Sequence, residues 1–486
     1  MNPGATANED ILRCDLLVIG AGPAGLAAAT RAAGLGLATV LVDEQPAAGG
    51  QIYRAVGSTP VQDRAILGED YWHGMGLVEA FRASGVRHIA GAMVWAVNRL
   101  EEGDGFEVAC SITADSQARL LHARHVILAT GAQERPFPIP GWTLPGVLTA
   151  GAAQIMLKTS AVVPTGTTVL AGGGPLLYLL AWQYLNAGVK VDRILETTPP
   201  GQWRAALPFA WGFLRSPYLG KGLKLLRAVR AAVPIVTGVS AIEALGDGQL
   251  SELRYTAGGE TRTIAVDQLL LHQGVVPNTN LSRAIGADHA WSERQDCWEP
   301  VVDAFGATSV PQVTIAGDGA GIAGAVAAEH RGRLAAVHAA AALGRIDSAG
   351  RDREAAPHRA ALERATRGRE FFETLYRAPK NFRRPVGDTI VCRCEEATAE
   401  HVRQAARMGC QGPNQMKAFL RCGMGPCQGR FCGLTVTELI ADEQNRHPRD
   451  VGYYRVRFPI KPVTLGEMAS LPQTDHSRGA VVRFKK

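Results

Sequence analysis

The residues with the clearest chemistry are six cysteines that lie within 41 residues near the end of the chain: Cys392, Cys394, Cys410, Cys422, Cys427 and Cys432. In a reducing compartment such a group indicates a metal or cluster site and not disulfides. Two pairs stand out, because Cys392-x-Cys394 is followed after 32 residues by Cys427-x4-Cys432. Four thiolates are the standard ligands of a [2Fe–2S] cluster. We therefore predict that these four cysteines hold one.

Two alternatives stay open for this group. Cys422 competes as a ligand, since Cys422-x4-Cys427 repeats the spacing of the second pair. Zinc also takes four thiolates, but the C-x-x-C pairs of zinc knuckles are absent from the group. Cys410 and Cys422 are interpreted as packed thiols.

A second chemical pattern, G-x-G-x-x-G, lies near the start of the chain with Gly20, Gly22 and Gly25, and Pro23 and Ala24 lie between the last two glycines. The first glycine allows a tight turn, the second lets the backbone approach a pyrophosphate, and the third lets helix and strand pack closely. The N–H groups at the start of the following helix would face the phosphates. An apolar strand, the loop, a helix and another strand follow in order, which predicts a dinucleotide site.

An acidic residue is expected at the end of the second strand, where it binds a ribose hydroxyl. Asp43 and Glu44 both stand there. The spacing alone does not decide between them.

Further contacts with the same cofactor are expected from short segments at strand ends. Ligands bind at the carboxyl ends of the strands in such sheets. A helix cap is the other interpretation of the aspartate in this set. The predicted residues are Gly50, Gln51, Thr130, Gly131, Gly317 and Asp318.

A second glycine-rich unit begins at Gly172, Gly173 and Gly174 and lacks one element of the pattern. Leu177 stands where the third glycine should be, and no basic cluster follows that would hold a 2′-phosphate. The sequence favours a retained structural domain over a nicotinamide site.

The order of these motifs along the chain resembles that of the two-dinucleotide-binding-domain flavoproteins. The resemblance implies an α/β fold of that type, with a small, mostly helical [2Fe–2S] module at its C-terminal end. Its 486 residues exceed one hydrophobic core. We predict an FAD-binding domain formed by two separate segments, 1–150 and 277–345, with a degenerate second dinucleotide domain at 151–276 between them. A helical linker is predicted at 346–386, the module at 387–443 and an extended tail at 444–486.

Composition excludes several classes of protein. The net charge of +6 comes from 51 basic and 45 acidic residues, which are expected to be spread along the chain without a nucleic-acid-binding tract. No stretch of about 18 apolar residues predicts a membrane span. Residues 1–10 lack the pattern of a secretory signal, so a cytoplasmic location is expected.

Three segments resemble one family: Val391–Glu396, Arg421–Arg430 and Val451–Gly466. They are similar to the alpha subunits of opine (octopine and nopaline) oxidases, hydrogen cyanide synthase and hydroxyproline dehydrogenases, which carry a bacterioferritin-associated-ferredoxin-like [2Fe–2S] domain. The resemblance favours Cys427 and Cys432 over Cys422, and it implies that Asp318 bonds the flavin ribitol.

The resemblance also implies a division of labour. A beta subunit of the amino-acid-oxidase type would oxidise the amine, with a small third subunit as a further partner. The alpha subunit would pass electrons through flavin, including FMN at the subunit boundary, and the cluster. Partners would hold the complex at the inner membrane.

No catalytic residue is predicted, because no His–carboxylate or nucleophile arrangement suits substrate oxidation. His272 and His330 are assigned to packing or hydrogen bonding. Two other functions are compatible with the sequence: a stand-alone NAD(P)H-dependent flavin and iron–sulfur reductase, and a scaffold that binds a nucleotide and zinc. FAD and a related adenine nucleotide fit the first loop equally.

Overall fold

The computed structural model describes residues 11–100 and 103–472. The predictions for residues 1–10 and for the end of the tail at 473–486 lie outside the described residues. The strands are β1 Leu12–Ile19, β2 Thr39–Asp43, β3 Arg87–Ala90, β4 Ala92–Arg99, β5 Phe106–Ile112, β6 Gln117–Leu128, β7 Ala132–Glu134, β8 Val147–Thr149, β9 Thr168–Gly173, β10 Val191–Glu196, β11 Ile235–Val236, β12 Val239–Leu245, β13 Glu252–Ala257, β14 Glu260–Ala265, β15 Gln268–Gln273, β16 Val275–Pro277, β17 His289–Ser292, β18 Cys297–Pro300, β19 Val313–Ile315, β20 Ile390–Cys392 and β21 Ala397–Thr398.

The α-helices are α1 Pro23–Gly34, α2 Arg64–Leu67, α3 Glu69–Ala83, α4 Ala150–Ser160, α5 Pro175–Asn186, α6 Gln202–Ala206, α7 Ala210–Leu214, α8 Tyr218–Ala232, α9 Asn280–Ala284, α10 Ala325–Ala342, α11 Ser348–Thr366, α12 Arg369–Leu375, α13 Lys380–Arg383, α14 Ala399–Arg407, α15 Pro413–Leu420, α16 Gly433–Glu443, α17 Pro448–Val451 and α18 Leu465–Ala469. Short 3₁₀ helices cover Leu207–Phe209 and Gly317–Ala320. None of the helices in the described residues is long and apolar enough to cross a membrane.

The first sheet is the frame of the flavin-type domain. Its strands lie in the order β3-β2-β1-β6-β5-β4, and β19 pairs with the C-terminal end of β6. The pairs β3–β2, β2–β1, β1–β6 and β6–β19 are parallel. Parallel strands are buried on both faces, which accounts for the apolar second half of β1, Leu16–Ile19. Helices α1 and α10 pack so closely that a Cβ at Gly332 would lie 2.1 Å from the carbonyl oxygen of Ala24.

The second sheet repeats this plan in the order β11-β10-β9-β15-β8, with every pair parallel. Its own antiparallel three-stranded sheet, β12-β13-β14, packs beside it. Leu177 is completely buried in α5, so this side chain fills the second domain's core.

Helices α11, α12 and α13 lie within the segment predicted to be a linker. The cysteine module follows with α14 capped by Thr398 and with α15 and α16. Helix α16 begins at Gly433, and the residues before it form turns. The tail joins the module, since Tyr454 and Ile460 are buried in the same apolar cluster as Cys432.

Candidate nucleotide site and cysteine cluster

The first glycine loop needs its glycines for space as well as for conformation. Gly20 has φ +110, and a Cβ there would lie 2.4 Å from the carbonyl oxygen of Ala129. At Gly25 a Cβ would lie 1.8 Å from the carbonyl oxygen of Gly20. Real Cβ atoms do not approach a backbone so closely, so helix, loop and strand β6 can meet only at glycine.

The turn at Gly49 and Gly50 closes over the first glycine loop. Gly49 N donates a hydrogen bond to the Ala21 carbonyl at 2.8 Å. Gly50 has φ +60, and a Cβ there would lie 2.6 Å from Gly22 Cα. The start of α1 has no side-chain cap and no acidic residue in its first turn. The N–H groups of this turn are therefore available to an anion.

Asp43 and Glu44 point to different regions of the molecule. Asp43 Oδ2 accepts from Ala21 N at 2.5 Å, and its Oδ1 accepts from Gln45 N at 2.7 Å. Burial raises the pKa of the Asp43 carboxyl above its ordinary value. Glu44 instead pairs with Lys461 of the tail, Oε2 to Nζ at 2.5 Å. Only Asp43 is thus bonded to the glycine loop.

The strand-end segments predicted from the sequence meet the same loop. A Cβ at Gly317 would lie 2.7 Å from Ala24 Cβ, and a Cβ at Gly319 would lie 3.6 Å from Gly131 N. Asp318 Oδ1 accepts from the N–H groups of Ala323 and Gly324 at 2.8 and 3.0 Å. Asp318 therefore stabilises the turn before α10, whereas the N-cap of this helix is Gly324, without a side-chain cap. The role of Asp318 toward a flavin ribitol stays a prediction.

Two buried cations lie beside these loops and were not singled out from the sequence. Lys158 on α4 is 4% exposed, and its Nζ donates to the carbonyl oxygens of Gln51 (3.3 Å) and Ile52 (2.9 Å) and to Gln154 Oε1 (2.8 Å). Burial lowers the pKa of Lys158 to about 7. Arg54 is 9% exposed, and its Nε has no hydrogen-bond partner among the described residues. Lys158 reaches the site from a distant part of the chain, so no local pattern marks it, whereas Arg54 lies four residues after Gly50.

The second glycine loop is closed by side chains. A Cβ at Gly173 would lie 3.9 Å from the ring of Tyr376, which follows α12. Burial raises the pKa of Tyr376 to about 12. His272 is buried beside Gly174, and its Nδ1 is 2.7 Å from Glu134 Oε1. His272 therefore has the hydrogen-bonding role expected of it.

The cysteines form a linked group of sulfurs. Hydrogen bonds with Cys422 and Cys432 lower the pKa of Cys392, and a hydrogen bond with Cys432 lowers the pKa of Cys427. Cys427 also bonds Cys394, the one exposed cysteine of the chain's nine. Cys422, interpreted from the sequence as a packed thiol, thus lies beside Cys392.

Cys410 stands apart and donates to the carbonyl oxygen of Gly412 at 3.5 Å. Over residues 11–100 and 103–472, no group of three or more His, Cys, Asp or Glu side chains is arranged to hold a metal ion. The ligand set of Cys392, Cys394, Cys427 and Cys432 therefore stays a prediction.

Tight packing shapes the loop that carries the last cysteines. A Cβ at Gly425 would lie 2.3 Å from Cys394 Cβ, and one at Gly429 would lie 2.5 Å from the ring of Tyr454. The Tyr454 hydroxyl is 3.7 Å from Cys432 Sγ. The tail therefore covers the buried side of the sulfur group, and Cys394 faces solvent.

This cysteine loop is hydrogen-bonded to the flavin-type domain. Asn280 Nδ2 donates to the carbonyl oxygen of Gln428 at 3.0 Å, and Gln133 Nε2 donates to that of Arg430 at 2.7 Å. Asn278 N donates to the carbonyl oxygen of Gly131 at 3.0 Å. Two hydrogen-bonded segments thus connect the predicted flavin contact at residues 130–131 with the cysteine loop.

Fold and loops together define a flavoprotein-type oxidoreductase. The model of the pyridine nucleotide-disulphide oxidoreductase family matches residues 14–206 and 222–344, and the model of the sarcosine oxidase A3 domain matches residues 387–471. The chain is 46% identical to the A subunit of the opine oxidase from Agrobacterium tumefaciens (strain Ach5), over 96% of this chain and 93% of the relative.

Two further relatives extend this comparison. The HcnB subunit of hydrogen cyanide synthase from Pseudomonas aeruginosa is 34% identical, over 94% of this chain and 98% of its own. The crystal structure of L-proline dehydrogenase from P. horikoshii superimposes with a TM-score of 0.68 at 17% identity, covering 95% of this chain and 81% of that chain, and so shows the fold. The chain belongs to the pyridine nucleotide-disulphide oxidoreductase family and, within it, to the group that contains the A subunits of opine oxidases.

Proposed function

We propose that the chain is the electron-transferring subunit of a heteromeric, flavin-dependent dehydrogenase that acts on amines or amino acids of the opine, hydroxyproline or glycine class. Relatives named as subunits of an opine oxidase and of a hydrogen cyanide synthase support a multi-subunit enzyme. The sarcosine oxidase A3 match supports an amine donor. The chain is accordingly an oxidoreductase for amine donors.

One observation carries the electron-transfer role. The cysteine loop bonds the segments that begin at the predicted flavin contacts, through Asn280–Gln428 and Gln133–Arg430. Because these contacts use backbone carbonyls of the loop itself, they fix the sulfurs relative to the flavin-type domain. A module present only for stability would not require its cysteine loop to be the contacting segment.

The sulfur group suits a two-iron cluster. A [2Fe–2S] cluster takes four thiolates, two on each iron. The sulfur contacts form a continuous series from Cys422 through Cys392, Cys432 and Cys427 to Cys394, so the proposed donors are neighbours. The proposed ligands are Cys392, Cys394, Cys427 and Cys432, and Cys422 is their competitor.

The first loop suits a dinucleotide such as FAD. Asp43 is bonded to the loop and is the proposed ribose ligand, whereas Glu44 is engaged by Lys461. The unpartnered Nε of buried Arg54 and the uncapped start of α1 favour an anionic ligand. When bound, a flavin and an iron–sulfur cluster supply the redox chemistry that amino-acid side chains lack.

Substrate oxidation is assigned to a partner. Our proposal therefore includes a beta subunit of the amino-acid-oxidase type, a small third subunit, FMN at the subunit boundary and attachment to the inner membrane through these partners.

The proposal is tested on the native complex, copurified through a tag on this chain. Flavin and iron are measured with the partner chains, and absorbance and electron paramagnetic resonance spectra are recorded before and after addition of an opine, hydroxyproline or glycine. We expect flavin bleaching and a new reduced-cluster signal with one of these amines.

Matched serine variants identify the ligands. Cys427→Ser should lose the cluster signal, whereas Cys410→Ser should keep it because Cys410 bonds only a backbone carbonyl. Cys422→Ser separates the competing ligand sets. Rapid bleaching of the isolated chain by NADH or NADPH would contradict the proposal in favour of a stand-alone reductase. Zinc without flavin or iron would favour a scaffold.

A further inference from the structure

Helices α6, α7 and α8 carry an unusual number of exposed apolar side chains. Exposed apolar residues are normal when they are scattered, but a group of them marks an interaction surface. Here five large side chains, each 50–65% exposed, lie within residues 203–223: Trp203, Leu207, Trp211, Leu214 and Leu223. We call residues 201–232 the helical insertion, because the family model leaves 207–221 unmatched.

All charged residues of the helical insertion are basic. Between Glu196 and Glu243 the sequence has no acidic residue, so the expectation of evenly spread charge is wrong for this segment. Its six cations equal the net charge of +6 of the whole chain: Arg204, Arg215, Lys221, Lys224, Arg227 and Arg230. Lys221 pairs with Asp70 at 2.5 Å, and the other five form no ion pair within the described stretches of the chain.

The inner side of the insertion is firmly packed. The Phe213 ring stacks on Phe371 of α12 with centroids 4.6 Å apart, and the Tyr218 hydroxyl donates to the carbonyl oxygen of Ala365 at 2.6 Å. Ala206 and Val229 are completely buried. The exposed side chains therefore belong to an ordered surface whose outer face lacks a cover among the described residues.

We propose that the helical insertion rests directly on a membrane that contains anionic lipids. Trp and Leu side chains enter the headgroup boundary, while Lys and Arg reach the lipid phosphates. Basic and apolar residues alternate here, as in Trp203–Arg204, Leu214–Arg215 and Leu223–Lys224. The guanidinium of Arg215 lies 4.4 Å from the centre of the exposed Trp211 ring, and no acidic residue lies among these side chains. Apolar side chains interleaved with cations alone suit an anionic lipid surface.

Vesicle co-sedimentation of the native complex tests this proposal. The probes are vesicles of phosphatidylcholine alone and of phosphatidylcholine with an equal amount of phosphatidylglycerol. We expect binding to the anionic vesicles only, weakened by added salt. Lys224→Gln with Arg227→Gln should reduce the partition coefficient about 25-fold, since each basic residue near such a surface contributes about 1 kcal/mol.

Substitutions outside the helical insertion serve as controls for effects that do not depend on the proposed lipid-binding surface. Trp203→Ser with Trp211→Ser should weaken binding roughly tenfold or more, whereas Leu465→Ser, at the 89% exposed Leu465, should not. Arg262→Gln, in the exposed strand β14, is the control for loss of a positive charge. Unchanged melting temperatures establish that the variants fold. Equal binding to both vesicle types, or variants that keep vesicle binding but release a partner subunit on gel filtration, would overturn the proposal.

Discussion

The two glycine-rich loops begin from the same strand–loop–helix plan and end in different states. The first loop keeps Gly25 where a Cβ would strike Gly20, and the Gly49–Gly50 turn closes over an uncapped helix start. The second loop has Leu177 in the core, and Tyr376 from the linker lies against Gly173. A repeated fold unit therefore keeps its architecture when its ligand-facing space is filled, so the glycine pattern must be tested residue by residue.

The largest effect is expected from Gly25→Ala. Its new Cβ would lie 1.8 Å from a backbone oxygen, so the loop must move. We expect bound flavin to be lost and the free energy of unfolding to fall by about 3 kcal/mol. Flavin content per folded protein and chemical denaturation measure both.

The control for that change is Gly34→Ala, at the end of the same helix, where a Cβ meets no atom within 4 Å. Gly172→Ala should also destabilise the fold, because its Cβ would lie 1.6 Å from the carbonyl oxygen of His272. The folded fraction of Gly172→Ala should keep its flavin. Loss of flavin from folded Gly172→Ala would show that the two loops do not differ in flavin binding.

Lys158→Met tests the hydrogen bonds that Lys158 donates to the carbonyl oxygens of Gln51 and Ile52. It removes three hydrogen bonds and leaves buried carbonyls unpaired, which should cost about 2–3 kcal/mol of stability. The folded-state pKa of about 7 lies below the ordinary 10.5, so between these values the unfolded chain binds more protons. The stability of the wild type relative to Lys158→Met should therefore rise with pH above 7, by at most ~1.4 kcal/mol per pH unit.

Denaturation of both proteins at pH 7 and pH 9 measures this slope. A difference that stays constant or falls across this interval would show that Lys158 does not titrate as a buried cation.

A smaller effect separates the two neighbouring acids. Asp43→Asn weakens two charge-assisted hydrogen bonds, so the affinity for flavin should fall roughly tenfold. Glu44→Gln breaks an exposed pair with Lys461 and should change affinity less than twofold. Flavin titration of the apoprotein gives both values. The reverse order would move the ribose contact to Glu44.

The smallest effect is expected at the second loop. Tyr376→Phe keeps the ring against Gly173, so flavin content and amine-driven reduction should stay within twofold of the wild type. NADH and NADPH should leave the flavin absorbance of both proteins unchanged. Bleaching by either one would show that the second loop is open to nicotinamide.

The sequence predicted what depends on local spacing. The strand, glycine loop and helix at the start of the chain agree with the structure, because they follow from neighbouring residues. Lys158 was missed, since its contacts join segments far apart in the chain. Arg54 was missed because only the folded structure shows that its side chain is buried. Spacing also could not tell that Cys422 lies beside Cys392, nor that α16 begins only after the cysteine turn.

The exposed face of the helical insertion escaped prediction for a related reason. Trp211 and Leu214 are as apolar as core residues, and only the packing of Phe213 against Phe371 determines which side faces outward. The sequence shows that no acidic residues surround them. Only the structure shows that the basic and apolar side chains belong to one surface.

The central claim is that the flavin-type domain and the cysteine module act as one electron-transfer unit. The most direct measurement is electron paramagnetic resonance of the native complex after anaerobic addition of its amine. The account predicts a reduced-cluster signal that is absent from Cys427→Ser and retained in Cys410→Ser. Full flavin reduction by the amine with an intact cluster that stays oxidised would contradict it.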